Sequence, residues 1–209
     1  MNSQHKTRKG LYVITDCERL RPDELLSRTR RILEAGVAAL QYRDKTENEN
    51  KMEVAVQLQE MCRQWNTLFI VNDDIELAKK LQADGVHVGR DDDDYRQART
   101  TLGERVILGL SCYNNLDKAR AAQADGVDYV AFGSVFPTTS KKTSVRASLD
   151  LIKEAKRKLK VPVAVIGGIT PDNGKQLIDA GADLLAVISS VYQSPDPHET
   201  VKKFNQLFS

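Results

Sequence analysis

Acidic, basic and hydroxyl side chains gather in this chain directly behind short apolar runs. Gln41–Tyr42–Arg43–Asp44–Lys45 follows one such run, Asn72–Asp73–Asp74 a second, and Gly89–Arg90–Asp91–Asp92–Asp93–Asp94 a third. Later come Ser111, the stretch Thr138–Thr139–Ser140–Lys141–Lys142, Gly167–Gly168–Ile169–Thr170 and Ile188–Ser189–Ser190. Two carboxylates from separate segments make a hard-oxygen site, and Mg²⁺ commonly takes one or two carboxylates plus water and phosphate oxygens. Arg43, Lys45 and Lys141 are cations that can balance a diphosphate and the charge that develops as it leaves. A glycine pair ahead of a helix offers backbone N–H groups to a phosphate.

Each cluster has an ordinary use as well. Asp91–Asp94 stands at a helix start, where carboxylates cap free N–H groups and meet the positive end of the helix dipole; Asp73 is similarly placed. A lone loop lysine is usually a solvated charge, so the weight falls on three cations sharing one set of segments. His87 lies inside an apolar run and reads as a packed or hydrogen-bonded structural histidine. His5 and His198 lie in the N-terminal tail and near a terminal helix, Trp65 reads as helix-end packing, and no Ser–His–Asp or Cys–His arrangement is evident.

The elements that must position these residues alternate along the whole chain. Apolar, β-branched runs at Leu11–Thr15, Ala38–Tyr42, Leu68–Val71, Gly85–Val88, Val106–Leu110, Tyr129–Phe132, Val163–Ile166 and Leu184–Ile188 predict strands. Helices are expected over Pro22–Glu34, Asn48–Gln64, Ile75–Gln82, Tyr95–Leu102, Leu116–Ala124, Ser148–Lys158, Pro171–Asp179 and Pro197–Phe208. Glycines at Gly36, Gly85, Gly126 and Gly181 punctuate helix ends before strands. Strands apolar on both faces and separated by helices require a covered parallel sheet. Eight such pairs in 209 residues favour closure into a single-domain α/β TIM (β/α)₈ barrel over residues 10–209. The competing open sheet usually carries a Gly-rich dinucleotide turn after its first strand, and none follows Leu11–Thr15. Barrel chemistry sits at the C-terminal strand ends, where every polar cluster above falls.

Composition narrows the partners. A formal net charge of +2, with no basic stripe interleaved with aromatics, excludes nucleic acid as the expected partner. No apolar run is long enough for a membrane span, and the basic residues 1–9, read as a disordered tail, lack the apolar segment of a signal peptide. Three scattered cysteines, with 41% hydrophobic and 29% charged residues, suit a soluble protein of the reducing cytoplasm. A homodimer is compatible with this reading.

Taken in order, Leu11–Tyr12–Val13–Ile14–Thr15–Asp16, Gln41–Lys45, Asn72–Asp73, Gly85–Val86–His87–Val88–Gly89, Phe136–Pro137–Thr138–Thr139–Ser140–Lys141, Ile166–Gly167–Gly168–Ile169 and Val187–Ile188–Ser189 resemble the thiamine phosphate synthase family. The resemblance runs from about residue 10 to the C-terminus. It implies a transferase that joins 4-amino-2-methyl-5-pyrimidinylmethyl diphosphate to a thiazole phosphate, releasing pyrophosphate. It makes Gln41, Tyr42, Arg43, Asp44, Lys45, Asn72, Ser111 and Lys141 contacts of the pyrimidine diphosphate; Lys141, Arg43, Lys45 and Ser111 act on the leaving group. It makes Asp73 and Asp92 the Mg²⁺ ligands, with Asp91 the alternative to Asp92. Thr138, Thr139, Ser140, Gly168, Ile188 and Ser189 would bind the thiazole phosphate.

Arg90 stands where the family usually has glutamine, and Ser140 where threonine is usual. The first adds positive charge beside the metal carboxylates; the second keeps the hydroxyl. The implied reaction breaks a C–O bond as a pyrimidinylmethyl cation forms, and the thiazole nitrogen attacks that carbon. That nitrogen has no proton to lose, so no general base is required. Two other readings share the barrel: a thiazole tautomerase-like isomerase, which needs no diphosphate or metal site, and a non-catalytic binder of thiamine intermediates.

Overall fold

The computed structural model describes residues 9–47, 49–89, 92–137 and 146–209, with the side chains of residues 92–94 left aside. Its eight parallel strands are β1 (Gly10–Ile14), β2 (Ala39–Tyr42), β3 (Leu68–Asn72), β4 (Gly85–Val88), β5 (Ile107–Tyr113), β6 (Tyr129–Gly133), β7 (Val163–Ile166) and β8 (Leu184–Val187). They pair in chain order, and β8 returns to pair with β1 through the register Gly10↔Leu184 to Val13↔Val187, closing the barrel. Helices α1 (Pro22–Glu34), α2 (Lys51–Gln64), α3 (Ile75–Leu81), α4 (Asp92–Leu102), α5 (Leu116–Ala124), α6 (Leu149–Lys158) and α7 (Pro171–Asp179) cover its outside. After β8 come the short α8 (Ser189–Tyr192) and the closing α9 (Pro197–Gln206). Among the described residues no helix is long and apolar enough to cross a membrane.

Local chemistry accounts for the helices. In α1, Pro22 opens the first turn, Asp23 and Glu24 meet the positive end of the dipole, and Leu25, Thr29, Ile32 and Leu33 make the buried stripe. The Ser148 hydroxyl caps α6 by accepting the Leu151 N–H at 3.1 Å, and Lys156, Arg157 and Lys158 occupy its last turn. Trp65 ends α2 and packs partly buried against the core, as expected of it.

Period-two alternation divides the strands between two cores. Leu11, Val13, Leu40, Val86, Leu108 and Val130 point out to the helices. Tyr12, Ile14, Ala39, Ile70, Ile107, Tyr129, Ala164 and Ala186 fill the barrel interior. Below the barrel, the buried Asp183 accepts Lys156 Nζ at 2.8 Å and the Val163 N–H at 3.0 Å; Lys9, expected in the tail, lies 3.5 Å from it.

Several boundaries differ from the sequence expectation. Strand β5 continues past Leu110 to Tyr113, and its register against β6 shifts between Ser111 and Tyr113, so Ser111 belongs to a strand that bulges. Ile188 lies beyond β8, and Ser189 starts a helix that periodicity does not announce because it is one turn long. Gly36, Gly126 and Gly181 do take positive φ, but at the end of α3 that conformation falls to Gln82 (φ 50°). Gly85 serves close packing instead: a Cβ there would lie 2.6 Å from Ile70 Cδ1 and 2.9 Å from Ile107 Cβ.

Gly109 has the same spatial role at the centre of the barrel, where an added Cβ would collide with the ring of Tyr129. Gly109→Ala should therefore destabilise the fold by about 1–3 kcal/mol through overpacking, read as a lower urea midpoint at unchanged m.

Candidate active site

The C-terminal strand ends surround a cavity of about 620 Å³. Gln41, Arg43, Asn72, Ser111, Gly168, Ile188 and Ser189, all expected at the site, line it. Tyr42, Asp44, Lys45 and Asp73 do not. Tyr42 turns outward, stacks on Phe69 with ring centroids 6.5 Å apart, and sets its hydroxyl 3.1 Å from the Lys51 carbonyl. Burial raises its phenol well above the ordinary range. Asp44 closes the following turn, accepting the Thr46 N–H at 2.8 Å and the Thr46 hydroxyl at 2.6 Å. Thr138, Thr139, Ser140, Lys141, Arg90 and Asp91 lie outside the described residues, as does the side chain of Asp92.

Arg43 is held from behind. The Thr15 hydroxyl accepts the Arg43 N–H at 2.8 Å and donates to the Arg43 carbonyl at 2.9 Å, fixing the end of β2 to the end of β1. Cys17 donates to the Thr15 hydroxyl oxygen at 3.3 Å, and burial pushes its thiol up to about 12, so it is a neutral partner. The Arg43 guanidinium donates to Glu18 at 2.8 Å across the rim. An anion entering here would compete with that partly exposed carboxylate for the cation.

Asp73 and Asp74 divide their work. Asp74 caps α3, accepting the Leu77 N–H at 2.8 Å, so the capping role also open to Asp73 is taken by its neighbour. Asp73 has positive φ (60°), and its carboxylate accepts Asn72 Nδ2 at 2.8 Å with Lys45 Nζ at 3.7 Å. Its other oxygen faces Gly89, where even an added Cβ would remain 3.5 Å away. Half-exposed, already polarised, and beside Gly89, this carboxylate fits the donor set that Mg²⁺ shares with substrate phosphates. Among the described residues no group of three or more His, Cys, Asp or Glu side chains could hold a metal.

The opposite wall is built from backbone. Gly167 and Gly168 take φ of 110° and 62°, and a Cβ on either would strike the segment Ser134–Pro137. That segment is pinned by Val135 N–H to Ile166 carbonyl (2.9 Å) and Phe136 N–H to Gly167 carbonyl (3.0 Å). Asn173 donates to the Gly168 carbonyl at 3.0 Å and accepts the Thr170 N–H at 2.8 Å, setting the turn into α7. In α8 the first internal bonds run from Val191 and Tyr192 to the Ile188 carbonyl, leaving the Ser189 and Ser190 N–H groups ahead of them on the cavity wall.

Sequence reasoning missed several lining residues. Tyr12 and His87 form the floor, Tyr113 enters through the β5 bulge with φ 56°, and Asp16, Glu18, Arg19 and Gln193 form the rim. Strand parity could have found the first two, since Tyr12, Gln41 and His87 share the inward register. Nothing in spacing marks Gln193, whose amide reaches the buried Asp16 from 177 residues away at 3.3 Å.

Comparison with known proteins decides the family. The family described as thiamine monophosphate synthase matches residues 11–191. The chain belongs to that family. It is 46% identical over 203 residues to the thiamine-phosphate synthase of Thiobacillus denitrificans, covering 96% of this chain and 95% of that one. The thiamine-phosphate synthase of Aromatoleum aromaticum is likewise 46% identical over 203 residues, with 96% of both chains covered. The solved thiamine phosphate pyrophosphorylase of Pyrococcus furiosus superposes with a TM-score of 0.85 at 34% identity, covering 99% of this chain and 97% of that one.

Replacing Gly168 by alanine should strain the backbone and push the Phe136–Pro137 wall into the cavity. The expected result is weaker thiazole phosphate binding, a rise in KM of about tenfold or more with kcat less affected, measured by steady-state kinetics.

Proposed function

We propose that this chain condenses 4-amino-2-methyl-5-pyrimidinylmethyl diphosphate with a thiazole phosphate to give thiamine phosphate and pyrophosphate. The carrying observation is the two-sided cavity. Gln41, Arg43, Asn72 and Ser111 converge on one side, and the Gly167–Gly168 turn faces them with the start of α8 on the other. Family membership supports the same reading.

Asp73 and Asp92 would hold Mg²⁺, which when bound supplies charge neutralisation for the diphosphate. Arg43 and Lys45, with Lys141 from outside the described residues, balance the remaining charge of the leaving group. Ser111 donates a hydrogen bond to the same substrate. The backbone cup holds the thiazole phosphate so that its ring nitrogen faces the carbon losing the diphosphate; positioning then replaces bimolecular encounter. Buried walls of Ile14, Ala131, Ala164 and Ala186 keep water from capturing the cation. The three cysteines are free thiols, in keeping with a cytoplasmic setting.

Incubation with both substrates and Mg²⁺ should release pyrophosphate; no release above an enzyme-free control overturns the reading. Asp73→Asn should shift the Mg²⁺ activation curve to higher concentration while leaving thiazole phosphate affinity unchanged. Lys141→Ala should lower kcat by about 10²-fold or more, far beyond its effect on thiazole phosphate binding.

A further inference from the structure

Five polar side chains from five strands form one hydrogen-bonded line across the cavity floor. Gln41 Nε2 donates to the Tyr12 hydroxyl at 2.8 Å, and the Tyr12 and Tyr129 hydroxyls are 2.8 Å apart. Tyr129 lies 2.9 Å from His87 Nδ1, and His87 Nε2 lies 2.9 Å from Ser111 Oγ. Gln41, Tyr12, Tyr129 and His87 are all buried, with Ser111 at the cavity end of the line. The His87 ring stacks on Tyr129, centroids 5.5 Å apart.

We propose that His87 is a positioning residue: neutral and protonated on Nε2, it donates to one lone pair of Ser111 Oγ, so that the serine proton turns away from the ring and is available to the substrate. The polarity follows by counting protons. Each phenol has one. Tyr12 accepts from Gln41, so its proton goes to Tyr129; the Tyr129 proton then goes to His87 Nδ1, leaving Nε2 to carry the ring proton. A charged imidazolium would donate from both nitrogens and strand the Tyr129 proton in a dry site. Burial raises both phenols far above their ordinary range, so each keeps its proton.

The two ends of the line match opposite ends of the substrate's chemistry, and here the inference rests on the function proposed above. Ring nitrogens, ester oxygen and phosphate oxygens are all acceptors, and Ser111 is set to donate. The exocyclic amine is the substrate's donor, and Gln41 Oε1, on the amide whose nitrogen donates to Tyr12, is the group that would accept it. The reverse polarity would leave Ser111 with only lone pairs to offer an anion, and Gln41 with an N–H facing an N–H.

The test reads the ring first. With three histidines in the chain, isotope-labelled histidine in the free, full-length protein gives a sparse nitrogen spectrum, assigned for His87 with a His87→Gln variant. The expected signal at neutral pH is the neutral Nε2–H tautomer, moving toward Nδ1–H in Tyr129→Phe. A charged ring, or an Nδ1–H tautomer in the wild type, overturns the proposal. In turnover at saturating thiazole phosphate, Tyr129→Phe should lower kcat/KM for the pyrimidine diphosphate about tenfold, the worth of one directed hydrogen bond. The thiazole phosphate KM should stay unchanged, and Ser111→Ala/Tyr129→Phe should fall no further than Ser111→Ala. Additive losses would overturn action through Ser111. A wild-type protein that makes no pyrophosphate would overturn the functional reading instead, and the ring tautomer then decides the relay alone.

Discussion

Closure of β8 onto β1 is the constraint on which everything else in this molecule depends. A closed parallel sheet has no edge, so every inward side chain must be accommodated by another inward side chain. Near the base the solution is apolar, with Ile70, Ile107, Leu184 and small alanines. Toward the mouth it is polar, because Tyr12, Gln41, His87, Ser111 and Tyr129 meet there and satisfy one another. Gly109 makes room for the Tyr129 ring that joins the two regions. Floor and site are therefore one packing problem.

The same closure separates labour at the mouth. Strands β2 and β3 end in side-chain chemistry, Gln41, Arg43 and Asn72, while β7 and β8 end in backbone geometry at Gly167, Gly168 and Ser189. Side chains suit a ligand that changes charge as it departs, since their cations can follow it. Backbone N–H groups suit one that stays bound. Rim pairs such as Arg43 with Glu18 and Asp16 with Arg19 hold the cations before substrate enters, at the modest strength expected of partly exposed pairs.

Carboxylates at this mouth were ambiguous for a physical reason. An aspartate before a helix can cap it or bind a cation, and both uses need the same side chain in nearly the same place. Between Asp73 and Asp74 the backbone breaks the tie: Asp74 takes the cap, and positive φ at Asp73 turns its carboxylate toward Gly89. One residue of register changes which group caps the helix.

The barrel is legible in the chain alone, because alternation of β-branched runs with amphipathic stretches encodes covered parallel strands locally. So are the strand ends that carry charge, since those clusters adjoin their strands in the chain. Folding in three dimensions is what turns Tyr42 and Asp44 away from the cavity, carries Ser111 and Tyr113 to its wall on a bulge, and sets α8 behind β8. It alone joined His87 to Tyr129 and Ser111, 42 and 24 residues away, and Tyr12 to Tyr129 across 117. Periodicity records which face a residue occupies; which residues meet across a closed barrel depends on stagger and ring size, and these exist only once the sheet has closed.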